Sequence, residues 1–152
     1  NALKLSESVT ENQKEAERTL DMAMFPRAGT VVISVSSATV AAGVIRGLKI
    51  NPALHFHLHC GYTRSQEAIK NYIEQCMPGV EVPWDRIDIT DEGYGYADAV
   101  KATSACPFPT NPHYDGKAWE WLTNPVPPGA STRPVLESLA SHGPVIFWNI
   151  GE

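Results

Sequence analysis

Cysteine is scarce in this chain: Cys60, Cys76 and Cys106 make an odd number, with no CxxC pair. That fits reduced thiols better than a disulfide framework, so a cytoplasmic protein is expected. Long apolar runs are missing as well. No stretch approaches the roughly 20 residues a spanning helix needs, and none reads as a signal peptide. Basic clusters are absent too, because 12 Lys and Arg are scattered among 17 Asp and Glu for a net charge of −5. A nucleic-acid surface is therefore not expected. There is neither a G-x-S-x-G elbow nor a glycine-rich phosphate fingerprint, which removes the familiar serine hydrolase and dinucleotide patterns. What remains is ordinary for a folded domain: 152 residues, 43% hydrophobic and 19% charged, enough to bury a real core.

Strand-like and helix-like segments alternate along the chain. "SVTENQKEAERTLDMAMF", residues 8–25, reads as a helix capped by Ser8 or Thr10 and ended by Pro26. Strands are expected near 30–35, 54–60, 86–90 and 144–149, with helices near 38–49, 63–77, 116–122 and 131–143. The alternation and the continuous apolar runs "TVVI" and "PVIFW" predict a three-layer α/β fold, a mainly parallel sheet with helices on both faces. The whole chain reads as one domain, a helical segment over 1–28 leading into an α/β portion over 29–152. Ligands bind such sheets at the carboxyl ends of strands, where the loops at 34–39, 91–96 and 149–152 fall.

The first of these loops, "ISVSSATVAAG", sets small and hydroxyl residues between a strand and a helix start. Free N–H groups there attract an anion, and short side chains at Ser36, Ser37 and Ala38 let it approach the backbone. The simpler reading is an N-cap supplied by Ser36, Ser37 or Thr39. His55, His57 and His59 alternate along one strand and share a face, with Cys60 on the other. Three imidazoles in that row can ligate zinc, but a stripe lying under a helix and satisfied by hydrogen bonds is the stronger reading, so no metal is assigned. Cys106 with His113 is a possible nucleophile pair, and a buried structural thiol is the simpler alternative. Trp119, Trp121, Phe147 and Trp148 lack interleaved Arg or Lys and read as core rather than a base-stacking platform.

Three segments in order then resemble one family. "VVISVSSATVAAGVIRGL" resembles the strand, phosphate loop and helix of fold-type II, tryptophan synthase β-like, pyridoxal-phosphate enzymes. "DEGYGYADA" resembles the GYG loop of the D-cysteine desulfhydrase and 1-aminocyclopropane-1-carboxylate deaminase branch. "NPHYDGKAWEWL" with "GPVIFWNIGE" resembles that branch's Y-x-GK helix start and closing strand. The wording around "FPTNPHYDGKAWEWL" is also similar to phage-encoded proteins of this type. The resemblance implies that Ser36, Ser37, Ala38 and Thr39 hold the phosphate of pyridoxal phosphate and that Tyr94 lies near the substrate. It places Asn149 to Gly151 beside the pyridine ring and gives Tyr114, Gly116 and Lys117 a mainly structural role.

Departures accompany the resemblance. Ser36 and Ala38 stand where the family has loop glycines, and Cys106 and Pro107 where it often has a Glu-Gly pair. Ile150 occupies a position where the family can offer a hydroxyl. No lysine matches the Schiff-base lysine, which in the family precedes this portion of the fold, and the chain begins at Asn1 rather than Met. The expectation is the C-terminal portion of a pyridoxal-phosphate lyase or deaminase acting on a small amino acid. The alternative is a non-catalytic module that binds a phosphate ligand or serves assembly on the same fold. In either case a missing N-terminal segment, a partner chain or a second copy is expected to cover "ALHFHLHC" and "FWNIGE".

Overall fold

The structure is a computed structural model describing residues 2–36, 38–100, 108–109, 111–123, 135–141 and 143–149; side chains of 2–6, 136 and 137 are outside that description. Its element order is α1 (Ala2–Leu20), β1 (Gly29–Val35), α2 (Thr39–Leu48), β2 (Leu54–Cys60), α3 (Gln66–Gln75), a 3-10 turn (Trp84–Arg86), β3 (Ile87–Thr90), α4 (Asp115–Thr123), α5 (Val135–Ala140) and β4 (Val145–Trp148). The four strands form one all-parallel sheet in the order β3-β2-β1-β4. The fold is thus α/β with helices on both faces, as the alternation predicts.

Register and alternation assign the faces. Val31 pairs with Phe56 and Ile146, and Ile33 with Leu58 and Trp148. These side chains join Ala41, Val44, Ile45, Leu48, Ile69 and Ile73 of α2 and α3 in the main apolar core. The intervening residues Val32 and Ser34 pair with His57 and His59 and face the other way, toward α4. There Trp121 packs on both imidazoles, with ring centroids 4.8 and 5.3 Å away.

α1 is bound into the core through α2. A Cβ on Gly43 would lie 2.7 Å from the Val9 carbonyl oxygen, and one on Gly47 2.7 Å from that of Gln13. Only glycine permits that approach, and it lets Val9 and Ala16 bury completely. α1 differs from the sequence reading at both ends. It begins at Ala2, so Ser8 and Thr10 lie inside it rather than capping it, because residues 2–7 are mostly good helix formers. It stops at Leu20, before Pro26: the Thr19 hydroxyl bonds back to the Glu15 carbonyl, and Met22 N–H reaches Thr19 O in a tightened last turn.

The expectation that "ALHFHLHC" needs an outside cover is also corrected. β2 lies between β1 and β3, and Leu54, Phe56, Leu58 and His59 are fully buried, leaving His55 exposed. β4 is an edge strand with four half-buried residues. Cys60 and Cys76 are free thiols. Among the described residues no helix is long and apolar enough to cross a membrane.

Candidate functional site

β1 runs on through α2 to β2 and α3 to β3 in one direction across the sheet, and β4 returns to the opposite side of β1. The strand order therefore reverses between β1 and β4. A crevice at the carboxyl ends of strands at such a reversal is where open α/β sheets bind ligands. The described residues there are Ser36, Ala38, Thr39 and Asn149, which follows Trp148, the partner of Ile33.

The loop opens α2 in an unusual way. Its N-cap residue is Ala38, at φ 71° and ψ 4°, and no side chain caps the helix. Among the described residues Ala38 is the one non-glycine with positive φ, a conformation costing an L-residue about 1–2 kcal/mol. The N-cap reading of Ser36 and Thr39 is thereby corrected. The Thr39 hydroxyl bonds the Tyr72 hydroxyl at 2.9 Å, joining α2 to α3, and Ser36 is half-buried at the end of β1. With no side-chain cap on α2, its first-turn amides are left without side-chain acceptors, as a helix start that takes an anion requires. Ala38 takes the backbone shape that a loop glycine would supply, so the replacement noted in the sequence is accommodated by strain. Ser37, Cys106, Pro107 and residues 150–152 lie outside the described residues.

Tyr94 belongs to a second group on the same edge. Its carbonyl accepts the Thr63 N–H at 2.7 Å, and its ring lies beneath the Lys117 ammonium, with Nζ 4.7 Å from the centroid. Burial, then the charges of Glu92, Glu120 and Asp98, raises the Tyr94 hydroxyl above its ordinary pKa. Asp91 ties this loop to the end of β2 by accepting from Thr63 Oγ1, Arg64 N and Gly93 N. Burial alone would raise its carboxyl, but those hydrogen bonds together hold it below the ordinary value.

Gly61 links the two groups. Its N–H donates to Val35 O at 2.8 Å, one residue before Ser36, and its carbonyl accepts from Lys117 Nζ at 2.6 Å. Lys117 is completely buried on α4, and burial lowers its pKa against the opposing pull of Asp98. The structural role of the Y-x-GK lysine thus takes the form of an ammonium stitching α4 to the end of β2 and the 91–96 loop. Asn111 shapes the start of that helix, its carbonyl oxygen accepting the Gly116 N–H and its own N–H donating to Asp115 Oδ1.

The histidine stripe is gathered by hydrogen bonds. His57 Nε2 meets Thr90 Oγ1 at 2.7 Å, and the fully buried His59 Nε2 meets Glu92 Oε1 at 2.6 Å. Among the described residues no three His, Cys, Asp or Glu side chains converge as a metal site. His113 Nδ1 lies 3.1 Å from the Asp98 carbonyl. Trp119 packs edge-on against Phe147 and Phe108, and Trp148 packs against the main core. The His59–Glu92 pair was hidden from sequence reasoning, although three polar residues in a central strand were its signal.

No family model matches the chain. A curated relative, the glycyl-dTMP PLP-dependent decarboxylase of Pseudomonas phage M6, is 52% identical over 155 aligned positions that cover all of this chain and 51% of the relative. The chain spans about half the length of that relative.

Proposed function

We propose that this chain is the phosphate-holding portion of a pyridoxal-phosphate-dependent decarboxylase, a kind of lyase, whose cofactor-anchoring lysine lies outside these 152 residues. The observation that carries the reading is the 52% identity running the whole length of the chain to the phage decarboxylase. The uncapped start of α2 at the strand reversal supports it, as a place where a phosphate fits. Fold type II and the D-cysteine desulfhydrase-like branch belong to the same proposal, carried by the three motifs. The relative's name points to a glycyl group on dTMP as the substrate, a small amino-acid moiety on a nucleotide. The remainder of the enzyme, as an upstream segment, a separate chain or a second copy, would supply the lysine.

When bound, pyridoxal phosphate supplies an electron sink for the charge left on carbon as the carboxylate departs. The residues of this chain bind and orient. First-turn amides of α2 would hold the phosphate, aided by a helix dipole worth about half a charge, and the Ser36 hydroxyl would add a donor. Asn149, which follows β4, would lie beside the pyridine ring. Tyr94, its hydroxyl kept protonated by burial and neighbouring acids, serves as a hydrogen-bond donor toward the substrate rather than as a base. The Lys117 ammonium, engaged by Gly61 O and the Tyr94 ring, holds that tyrosine in place.

Ser36→Asp tests the placement by setting a carboxylate against the phosphate. Titration with pyridoxal phosphate, followed by absorbance, is expected to show binding weakened about tenfold or more, equal to about 1.4 kcal/mol. Unchanged affinity in a variant with an unchanged melting temperature would move the phosphate elsewhere.

A further inference from the structure

Among the described residues, Ser34 Oγ and His59 Nδ1 are buried polar atoms of the sheet face beneath α4 with no hydrogen-bond partner. Both residues are nearly or wholly inaccessible, at 3% and 0% exposure. They are register partners on β1 and β2, with side chains on the same face. Leaving such groups unsatisfied is unfavourable, and native interiors rarely do it.

We propose that Ser34 and His59, with Glu92 behind the imidazole, form a buried hydrogen-bonding site for a single hydroxyl group. Glu92 lies 2.6 Å from Nε2, and its carboxylate can only accept, so the neutral imidazole carries its proton on Nε2 and presents a lone pair at Nδ1. Ser34 offers a hydroxyl that both donates and accepts. An occupant that donates to Nδ1 and accepts from Ser34 is an alcohol or a water. A carboxylate would need donors on both sides, and an ammonium could not accept from Ser34. The Trp121 ring lies tilted beside His59, centroid to centroid 5.3 Å, on the same side of the sheet. The hydroxyl donates to Nδ1 and accepts from Ser34 Oγ, and no covalent bond changes.

The site does not depend on the proposed cofactor, and its test begins without one. Protein carrying 15N-labelled histidine is examined by NMR, with the His59 signal assigned by its loss in His59→Gln or, should that variant not fold, by its ring-current shift in Trp121→Phe. The expected signature is the Nε2–H tautomer with Nδ1 as a hydrogen-bonded acceptor. Ser34→Ala removes no bond seen in the structure, yet it should move the Nδ1 resonance to the position of a free acceptor while the melting temperature holds. Glu92→Leu, which removes the acceptor at Nε2, should abolish the fixed tautomer. An Nδ1 already free or protonated in the parent protein, or one unmoved by Ser34→Ala, overturns the proposal. Repeating the measurement with pyridoxal phosphate assigns the hydroxyl. An unchanged signature identifies a water, a shifted one a hydroxyl of the ligand, and each supports the site.

Discussion

The two faces of the sheet are built from different chemistry. Beneath α2 and α3, β1 and β2 present Val31, Ile33, Val35, Leu54, Phe56 and Leu58, all buried among aliphatic neighbours. Beneath α4 the same strands present Thr30, Val32, Ser34, His57 and His59, and the interface holds buried polar atoms without partners at Ser34 Oγ, His59 Nδ1 and Trp119 Nε1. A domain of this size needs one well-packed apolar layer to fold. The second face, with that layer in place, can carry groups that are poor core material and good chemistry.

The sharpest way to break this contrast is to remove the largest buried side chain of the apolar face. Phe56→Ala is expected to lower stability by about 3–5 kcal/mol in urea unfolding, the range for a buried aromatic whose site cannot collapse. A loss under about 1 kcal/mol would mean that the apolar layer is not what holds the sheet.

Titration separates the faces next. Burial, with Asp91 adding and Arg64 opposing, pushes the Cys60 thiol on the apolar face from 9.0 up to about 11. The folded state then holds a proton that the unfolded chain gives up, so this contribution is intact below pH 9 and lost as pH rises toward 11, on the order of 2 kcal/mol. His57, on the other face, is moved below its ordinary 6.5 chiefly by burial, with Asp88 opposing and His59 adding. There the unfolded chain binds the extra proton, so stability is intact above pH 6.5 and declines below it. Unfolding curves across pH should show Cys60→Ala flattening the alkaline limb and His57→Gln the acid limb. An exchange of those effects would reverse the assignment.

The smallest expected effect lies at the edge where the faces meet. Ala38→Gly relieves the left-handed strain but gives the unfolded chain more freedom, leaving a net stabilisation of about 1 kcal/mol or less. Thermal unfolding measures it, and a destabilised variant would show that Ala38 is not strained.

Much of this architecture was legible in the sequence for a simple reason. Continuous apolar runs such as "TVVI" belong only in strands covered on both sides, so the parallel sheet followed from them. The row of histidines announced a face of different character, because alternation is local. The details of the site depend on distant partners and could not be read the same way. Nothing in "SSAT" says that an alanine rather than a hydroxyl residue starts the helix, because cap preference favours the hydroxyls. Lysine is rarely buried, and Lys117 is buried because Gly61 and Tyr94, far away in sequence, enclose its amine. His59 and Glu92 meet because β2 and β3 pair in one register, with His59 beside Thr90.

The pairing of β4 with β1 has a kinetic consequence. β1, β2 and β3 are joined by successive crossovers and can assemble from nearby segments, whereas Thr30 finds Val145 only after most of the chain has been gathered in. Closing so long a loop carries a larger entropic cost and slows the step that depends on it. In pulse-labelled hydrogen exchange during refolding, amides of β1 to β3 should become protected before those of β4, and simultaneous protection would contradict this order. The juxtaposition of the ends of β1 and β4, where the phosphate site is proposed, would then be the last part of the sheet to form, so that site could not be complete until the rest of the sheet was already in place.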